Sequence, residues 1–324
     1  MAQFDLPLDQ LESYRYPDAE PADLDAFWSR TLAEARKHPL DVRLEPVVTP
    51  LRTVAVRDVE FAGFAGDRIR AWLVTPADAD PDRPLPVVVE FIGYGGGRGL
   101  AHQHLLWASA DFAHLVVDTR GQGAGWSVGA TPDPHGSTSS TPGFMTRGVD
   151  SPDDHYYRRV YTDAVRAVEA ARTVAGLDPD RIVVTGGSQG GGISLAVSAL
   201  VPDLAGVAAR VPFLCAFRRS VALIDRDPYA EVRRYLAVHR NKRDVVFGTL
   251  DYFDNAHLAS RSRCPAWIST ALMDDVCPPS TVYAAYNAYA GPKRIQVWPF
   301  NGHEGGGADD DLLVLDFFRE LLGT

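Results

Sequence analysis

The sequence predicts an α/β fold, a mostly parallel central sheet flanked by helices. Three observations carry this. After Pro86, short apolar runs recur along the chain, each followed by a glycine-bearing turn and then by a stretch with helical spacing. That alternation is the pattern of parallel strands joined by crossover helices, because parallel neighbours need a connection long enough to return to the same end of the sheet. The 324 residues are 46% hydrophobic, enough to cover both faces of such a sheet. With 28 glycines and 23 prolines, the chain lies well below the composition of disordered or collagen-like sequence.

Taken in order, residues 23–38 follow Pro21 and place Leu24, Phe27, Trp28, Leu32 and Ala35 on one side of an N-terminal amphipathic helix. Val54 to Phe61 and Arg68 to Val74 read as strands joined by the Gly63 to Asp67 turn, an antiparallel pair expected at an edge of the sheet. Buried parallel strands are expected at Val87 to Ile92, Leu115 to Val117, Ile182 to Thr185, Gly206 to Val211, Ala266 to Ala271 and Ile295 to Trp298. Helices are expected at Ala101 to Ala110, Tyr156 to Ala175, Ile193 to Leu200, Ser280 to Ala290 and Asp309 to Leu322. Two stretches interrupt the rhythm. Residues 124–155 are rich in Gly, Ser, Thr, Pro and Asp, the composition of a functional loop or of disorder. Residues 213–262 form a charged, aromatic insertion that reads as helical. Both read as excursions from one α/β unit spanning residues 1–324, with no internal repeat.

The charge balance, 32 Lys and Arg against 42 Asp and Glu for a net charge of −10, repels phosphate backbones and anionic lipid, so neither nucleic acid nor membrane is an expected partner. Met1 to Tyr14 carries Asp5, Asp9 and Glu12, with no basic cluster and no apolar run of signal-peptide length. No segment reaches the ~18 apolar residues of a membrane span. The expected location is the cytoplasm. Cys215, Cys264 and Cys277 leave one thiol over in any disulfide scheme and form no metal-ligand spacing, which suits free thiols in a reducing compartment.

The strongest local signal is Gly186-Gly187-Ser188-Gln189-Gly190, directly after one expected strand and shortly before a helix. A nucleophilic serine needs that context, because a sharp strand-to-helix turn exposes its hydroxyl and only glycines on either side fit the bend. The hydroxyl is a weak nucleophile until a base takes its proton and a carboxylate orients that base. In an α/β-hydrolase arrangement both follow the serine, acid first, each at the carboxyl end of a later strand. Asp274 and His303 occupy those places, with Asp275 as rival acid and His102 and His104 as reserve bases. An oxyanion hole is expected from the backbone amide of Gln189 and from Tyr94 in the Gly93-Tyr94-Gly95-Gly96-Gly97 loop. That loop lacks the lysine and the spacing of a phosphate cradle. Arg120 in Arg120-Gly121-Gln122-Gly123 reads as a structural support, with substrate contact the lesser reading, and Glu304 as a brace for the histidine loop.

These residues resemble carbohydrate esterase family 7, the acetyl xylan esterases and cephalosporin C deacetylases. Arg120-Gly121-Gln122, Gly186 to Gly190, Leu272-Met273-Asp274 and His303-Glu304 carry the resemblance. Pro142 to Gly148 and Tyr156-Tyr157-Arg158-Arg159 extend it, and it runs from the first helix to the last. The resemblance implies a serine deacetylase for acetyl groups on small sugars and on cephalosporins. It implies Ser188, Asp274 and His303 as triad, Tyr94 and Gln189 as oxyanion amides, no cofactor and no metal, and a cytoplasmic homohexamer. His135 to Thr141 is where the family pattern is least secure. Two rival readings stand beside it: a serine peptidase of the prolyl oligopeptidase type, and a non-catalytic binding protein on the same fold.

Overall fold

The computed structural model describes residues 3–135 and 143–324. Nine strands form one sheet: β1 Arg43–Val47, β2 Val54–Ala62, β3 Arg68–Pro76, β4 Leu85–Phe91, β5 Ala113–Val117, β6 Leu177–Gly187, β7 Gly206–Arg210, β8 Ala266–Ala271 and β9 Lys293–Trp298. Their order is β1-β2-β3-β5-β4-β6-β7-β8-β9. The pairs from β1 to β5 are antiparallel, and every pair from β5 to β9 is parallel. Ten helices accompany it among the described residues: α1 Leu8–Ser13, α2 Leu24–Ala35, α3 Tyr156–Ala171, α4 Gln189–Leu200, α5 Phe217–Leu223, α6 Tyr229–Val238, α7 Arg243–Leu250, α8 Asn255–Leu258, α9 Pro279–Ala288 and α10 Ala308–Leu322.

The continuous apolar runs of the middle strands are explained by burial on both faces. In β4, Val87, Val89 and Phe91 join the larger core with α3 and α4, whereas Val88 points the other way, into a cluster with Val183, Ala208, Trp267 and Phe318 of α10. Helix α2 lays the predicted stripe of Leu24, Phe27, Trp28 and Leu32 into the larger core, and Trp28 Nε1 donates to the carbonyl of Tyr252 at 3.0 Å. The N-terminal helix is thereby tied to the 213–262 insertion, which is helical as expected.

Several expectations need correction. β2 and β3 are interior strands, because β1 pairs outside β2 and β3 pairs with β5. β1 escapes sequence reading since its Arg43, Glu45 and Pro46 break any apolar alternation. No α-helix forms over 101–110, where a short 3₁₀ turn covers only Ala108–Ala110. There the Gln103 side chain accepts the Leu100 N–H at 2.6 Å and His104 Nε2 bonds the Arg98 carbonyl at 2.7 Å, so local side chains take the partners that a helix would use. α3 stops at Ala171 rather than 175, and α4 starts at Gln189 rather than 193, its glycines having hidden the first turn. Most of the His135 to Thr141 stretch lies outside the described residues.

Candidate active site

β6 ends at Gly187 and α4 begins at Gln189, which leaves Ser188 alone at the junction, with φ of 54°. That left-handed conformation is strained for a residue with a side chain, and it is held by the Ser188 N–H donating to the Arg210 carbonyl at 2.9 Å. Glycine is required two residues before and two after it: a Cβ on Gly186 would lie 2.5 Å from the Gly190 backbone, and one on Gly190 would lie 2.1 Å from the Phe91 carbonyl oxygen.

The carboxyl ends of β8 and β9 deliver the other two residues. His303 Nε2 lies 3.0 Å from Ser188 Oγ, and His303 Nδ1 lies 2.9 Å from Asp274 Oδ2. Asp274 is fully buried, and its Oδ1 also accepts the N–H groups of Val276 and Cys277 at 2.8 and 2.9 Å. With Asp274 accepting from Nδ1, the imidazole carries its proton there and offers a bare Nε2 to the serine hydroxyl. Asp275 turns away and pairs with Arg226 at 2.8 Å. His102 is exposed, and His104 lines the same cavity as Ser188 but bonds Arg98 instead. Glu304 accepts from Asn301 Nδ2 and from the Gly302 N–H, bracing the histidine loop.

Among the described residues, neither the Tyr94 nor the Gln189 backbone amide donates a hydrogen bond. Both are held by a buried web. Gln122 Oε1 accepts the Gly95 N–H at 2.7 Å while its Nε2 donates to Gln189 Oε1 at 2.8 Å, so one side chain bridges the two segments. Tyr157 also donates to Gln189 Oε1, at 2.9 Å, and Gln189 Nε2 donates to the Ile92 carbonyl at 3.0 Å. The Tyr94 phenol donates to Glu231 of α6 at 2.7 Å, and the Trp126 indole N–H donates to the Tyr94 carbonyl at 2.8 Å. Burial, reinforced by the Glu231 charge, pushes the phenol pKa well above its ordinary value, and burial raises that of Glu231. Sequence reading missed Glu231 and Trp126. Trp126 lies in the loop that composition singled out, while nothing local marks Glu231.

The cavity above Ser188 measures about 680 Å³ and is lined by Tyr94, Trp126, Arg210, Pro228, Val276 and His303 among others. Arg120 does not line it. It is buried away from the cavity and paired with Asp163, Asp67 and Asp133. Cys277 is buried, and burial raises its thiol pKa well above the ordinary value, the reverse of an activated nucleophile. Asp274, Cys277 and His303 bring three potential metal donors within 4.8 Å, but the Asp274 oxygens already serve His303 and two backbone amides.

The acetyl xylan esterase family model matches residues 1–320. The chain belongs to the acetyl xylan esterase family. Its fold agrees with the solved acetyl xylan esterase from Paenibacillus sp. R4, at a TM-score of 0.90 and 37% identity over 97% of this chain and 99% of that one. Acetyl xylan esterase 1 from Thermoanaerobacterium sp. JW/SL YS485 superposes at a TM-score of 0.88 with 34% identity, over 98% of this chain and 99% of that one. Acetyl esterase Axe7A of Xylanibacter ruminicola is 29% identical over 294 residues, 87% of this chain, and this acetyl xylan esterase family member spans 63% of that relative's length. These solved relatives carry the α/β-hydrolase fold that the strand–serine–helix turn predicts. No helix among the described residues is long and apolar enough to cross a membrane.

Proposed function

We propose that this protein is a serine esterase that removes acetyl groups from acetylated small sugars such as xylo-oligosaccharides. The observation that carries the reading is the unbroken chain from Ser188 Oγ through His303 to buried Asp274, beside two backbone amides that donate to none of the described residues. His303 Nε2 takes the hydroxyl proton as Ser188 Oγ attacks the acetyl carbonyl, and the Tyr94 and Gln189 amides receive the negative charge on its oxygen. The carbonyl re-forms, the bond to the sugar oxygen breaks, and His303 returns the proton to that oxygen. Water then attacks the acetyl-serine with His303 again as base, releasing acetate and restoring Ser188. Asp274 holds the imidazole tautomer and stabilises its charged form.

The same reading covers cephalosporin C-type acetates, a chain acting as one α/β unit, a cytoplasmic location and a homohexamer. The family match along nearly the whole chain supports an esterase over a peptidase of the prolyl oligopeptidase type or a non-catalytic binding protein. The test is the specificity constant for p-nitrophenyl acetate against the butyrate and octanoate esters, with Ser188→Ala as blank. Strong preference for acetate, abolished in the folded mutant, is expected. A flat or long-chain profile overturns the deacetylase reading, and activity equal to that of the mutant overturns the serine mechanism.

A further inference from the structure

His303 stands on a loop whose own sequence leaves it loose. Between Trp298 at the end of β9 and Ala308 at the start of α10 come Gly302, Gly305, Gly306 and Gly307, and glycine has more backbone freedom than any other residue. Glu304 braces the loop from within, through Asn301 and Gly302. On the far side of His303 the anchor is Asp310, which is only 1% exposed. Its Oδ2 accepts the Gly306 N–H at 3.1 Å and the Ser269 hydroxyl at 2.8 Å, while its Oδ1 accepts the Trp298 indole N–H at 2.8 Å. Ser269 lies in β8 and Trp298 in β9, so one carboxylate seats the loop on the two strands that deliver Asp274 and His303.

The seat is close, and it is not ordinary helix capping. A Cβ on Gly306 would lie 2.6 Å from Asp310 Oδ1 and 2.4 Å from the Trp298 ring, so the loop backbone rests directly on both side chains. Asp310 is the third residue of α10, where an acidic side chain commonly reaches back to the N–H of the residue preceding the helix. Here that N–H, on Gly307, donates to the Glu304 carbonyl, and Asp310 reaches one residue further, to Gly306. Nor does an arginine take up the carboxylate: Arg210, which lines the same cavity, pairs with Asp311 and Glu90. Three hydrogen bonds to one buried charge make a firm clamp. Every proton transfer of the cycle passes through His303 Nε2, and a misplacement of about 1 Å in such a geometry costs up to about 100-fold in rate. Resting on the triad reading above, we infer that Asp310 is a positioning residue for the general base, holding His303 where it meets Ser188.

The Gly306 and Trp298 N–H groups can only donate, and they donate to opposite oxygens. An amide at position 310 serves one and sets its own N–H groups against the other. Asp310→Asn should therefore lower kcat for p-nitrophenyl acetate about tenfold, with KM within about twofold of the parent. Trp298→Phe removes the competing donor and frees the amide oxygen for Gly306. In that background Asp310→Asn should keep kcat within about twofold of Trp298→Phe alone, whereas Asp310→Leu, which offers Gly306 no acceptor, should lose about tenfold. Rates are taken per site titrated to completion with a fluorophosphonate, so loss of folded protein does not enter. Equal kcat for the two variants in the Trp298→Phe background overturns the inference, as does a loss carried by KM alone, which would make Asp310 a substrate contact. Both outcomes leave the triad standing. A parent no faster than Ser188→Ala would instead overturn the triad reading, and the inference with it.

Discussion

The Tyr94 phenol and the Glu231 carboxylate meet at 2.7 Å across 137 residues of sequence, joining the glycine loop after β4 to helix α6 of the second insertion. The same phenol oxygen accepts the Phe144 N–H at 2.9 Å, and the second Glu231 oxygen accepts the Met145 N–H at 3.1 Å. Both insertions therefore close on the residue whose amide is proposed to stabilise the oxyanion. Tyr94→Phe keeps that amide and removes the oxygen that anchors it to Glu231 and to the Phe144 N–H. Tyr94→Phe and Glu231→Leu should each lower kcat about tenfold, short of the ~100-fold or greater loss of a whole donor, with KM little changed. The double variant should lose less than the product of the two single losses, because the Tyr94–Glu231 bond is shared and only the Phe144 and Met145 contacts are separate. Burst titration, which counts competent sites, keeps a drop in kcat separate from loss of folded protein, and additive losses would contradict the shared role.

Gln122 offers a second way to disturb the same two amides. It is fully buried, and its side chain joins Gly95 to Gln189. Gln122→Met should leave the Gly95 N–H buried without its acceptor, costing about 1–3 kcal/mol of stability and lowering kcat. Gln122→Glu should be the more damaging variant, since it restores the acceptor for Gly95 but sets a carboxylate oxygen against Gln189 Oε1. Urea denaturation and steady-state kinetics on the two variants check the order.

How much of this was legible follows from the range of the interactions. Ser188 was readable because strand, strained turn and helix are contiguous, and the glycines that fit the turn stand beside it in sequence. Asp274 and His303 were readable by order, since each follows an apolar run that becomes β8 or β9. The choice between Asp274 and Asp275 was not, because it depends on Arg226 drawing Asp275 aside from another part of the chain. Glu231 left no local mark: a lone acidic residue in an amphipathic helix looks solvated until the fold sets Tyr94 against it. β1 was lost for the opposite reason. An outer strand needs no apolar face, and Arg43–Val47 is recognisable only by its register with β2.

His155 makes the fold sensitive to acid. It is fully buried, its Nδ1 lies 3.1 Å from the Arg147 carbonyl and its ring packs on Phe253 at 4.8 Å. Burial pushes its pKa down to about 3 from the ordinary 6.5. The unfolded chain therefore takes up the proton first, and the stability that neutral His155 contributes is present above about pH 6.5 and lost as pH falls toward 3. Between pH 7 and pH 5 the loss is on the order of 2 kcal/mol. His155→Gln, which keeps a donor for Arg147, should be less stable than the parent at pH 7 and should close about that much of the gap at pH 5. Urea titrations at the two pH values measure the difference, and an unchanged gap would refute it.

Arg120 separates support of the fold from chemistry. Its Nε and Nη2 fork onto the two Asp163 oxygens at 2.5 and 2.8 Å, and Nη1 reaches Asp67 at 2.9 Å and Asp133 at 3.4 Å. Asp163 also accepts the Phe64 N–H at 2.8 Å, and Asp133 is shared with Arg159, so this one guanidinium joins the β2–β3 turn to α3 and to the loop after β5. With the cation removed, the Asp163 carboxylate is left buried without its counter-charge while Asp133 keeps Arg159, and Arg120→Met should cost about 3–5 kcal/mol. Arg120→Lys should recover only part of this, because an ammonium cannot fork across Asp163 and still reach Asp67. Adding Asp163→Leu to Arg120→Met should restore part of the stability by removing the stranded charge, the rest being lost with the acceptor of the Phe64 N–H. Because Arg120 stands outside the cavity, kcat/KM per titrated site should stay within about twofold of the parent wherever the variants remain folded, whereas a selective loss of sugar substrates would make it a substrate contact.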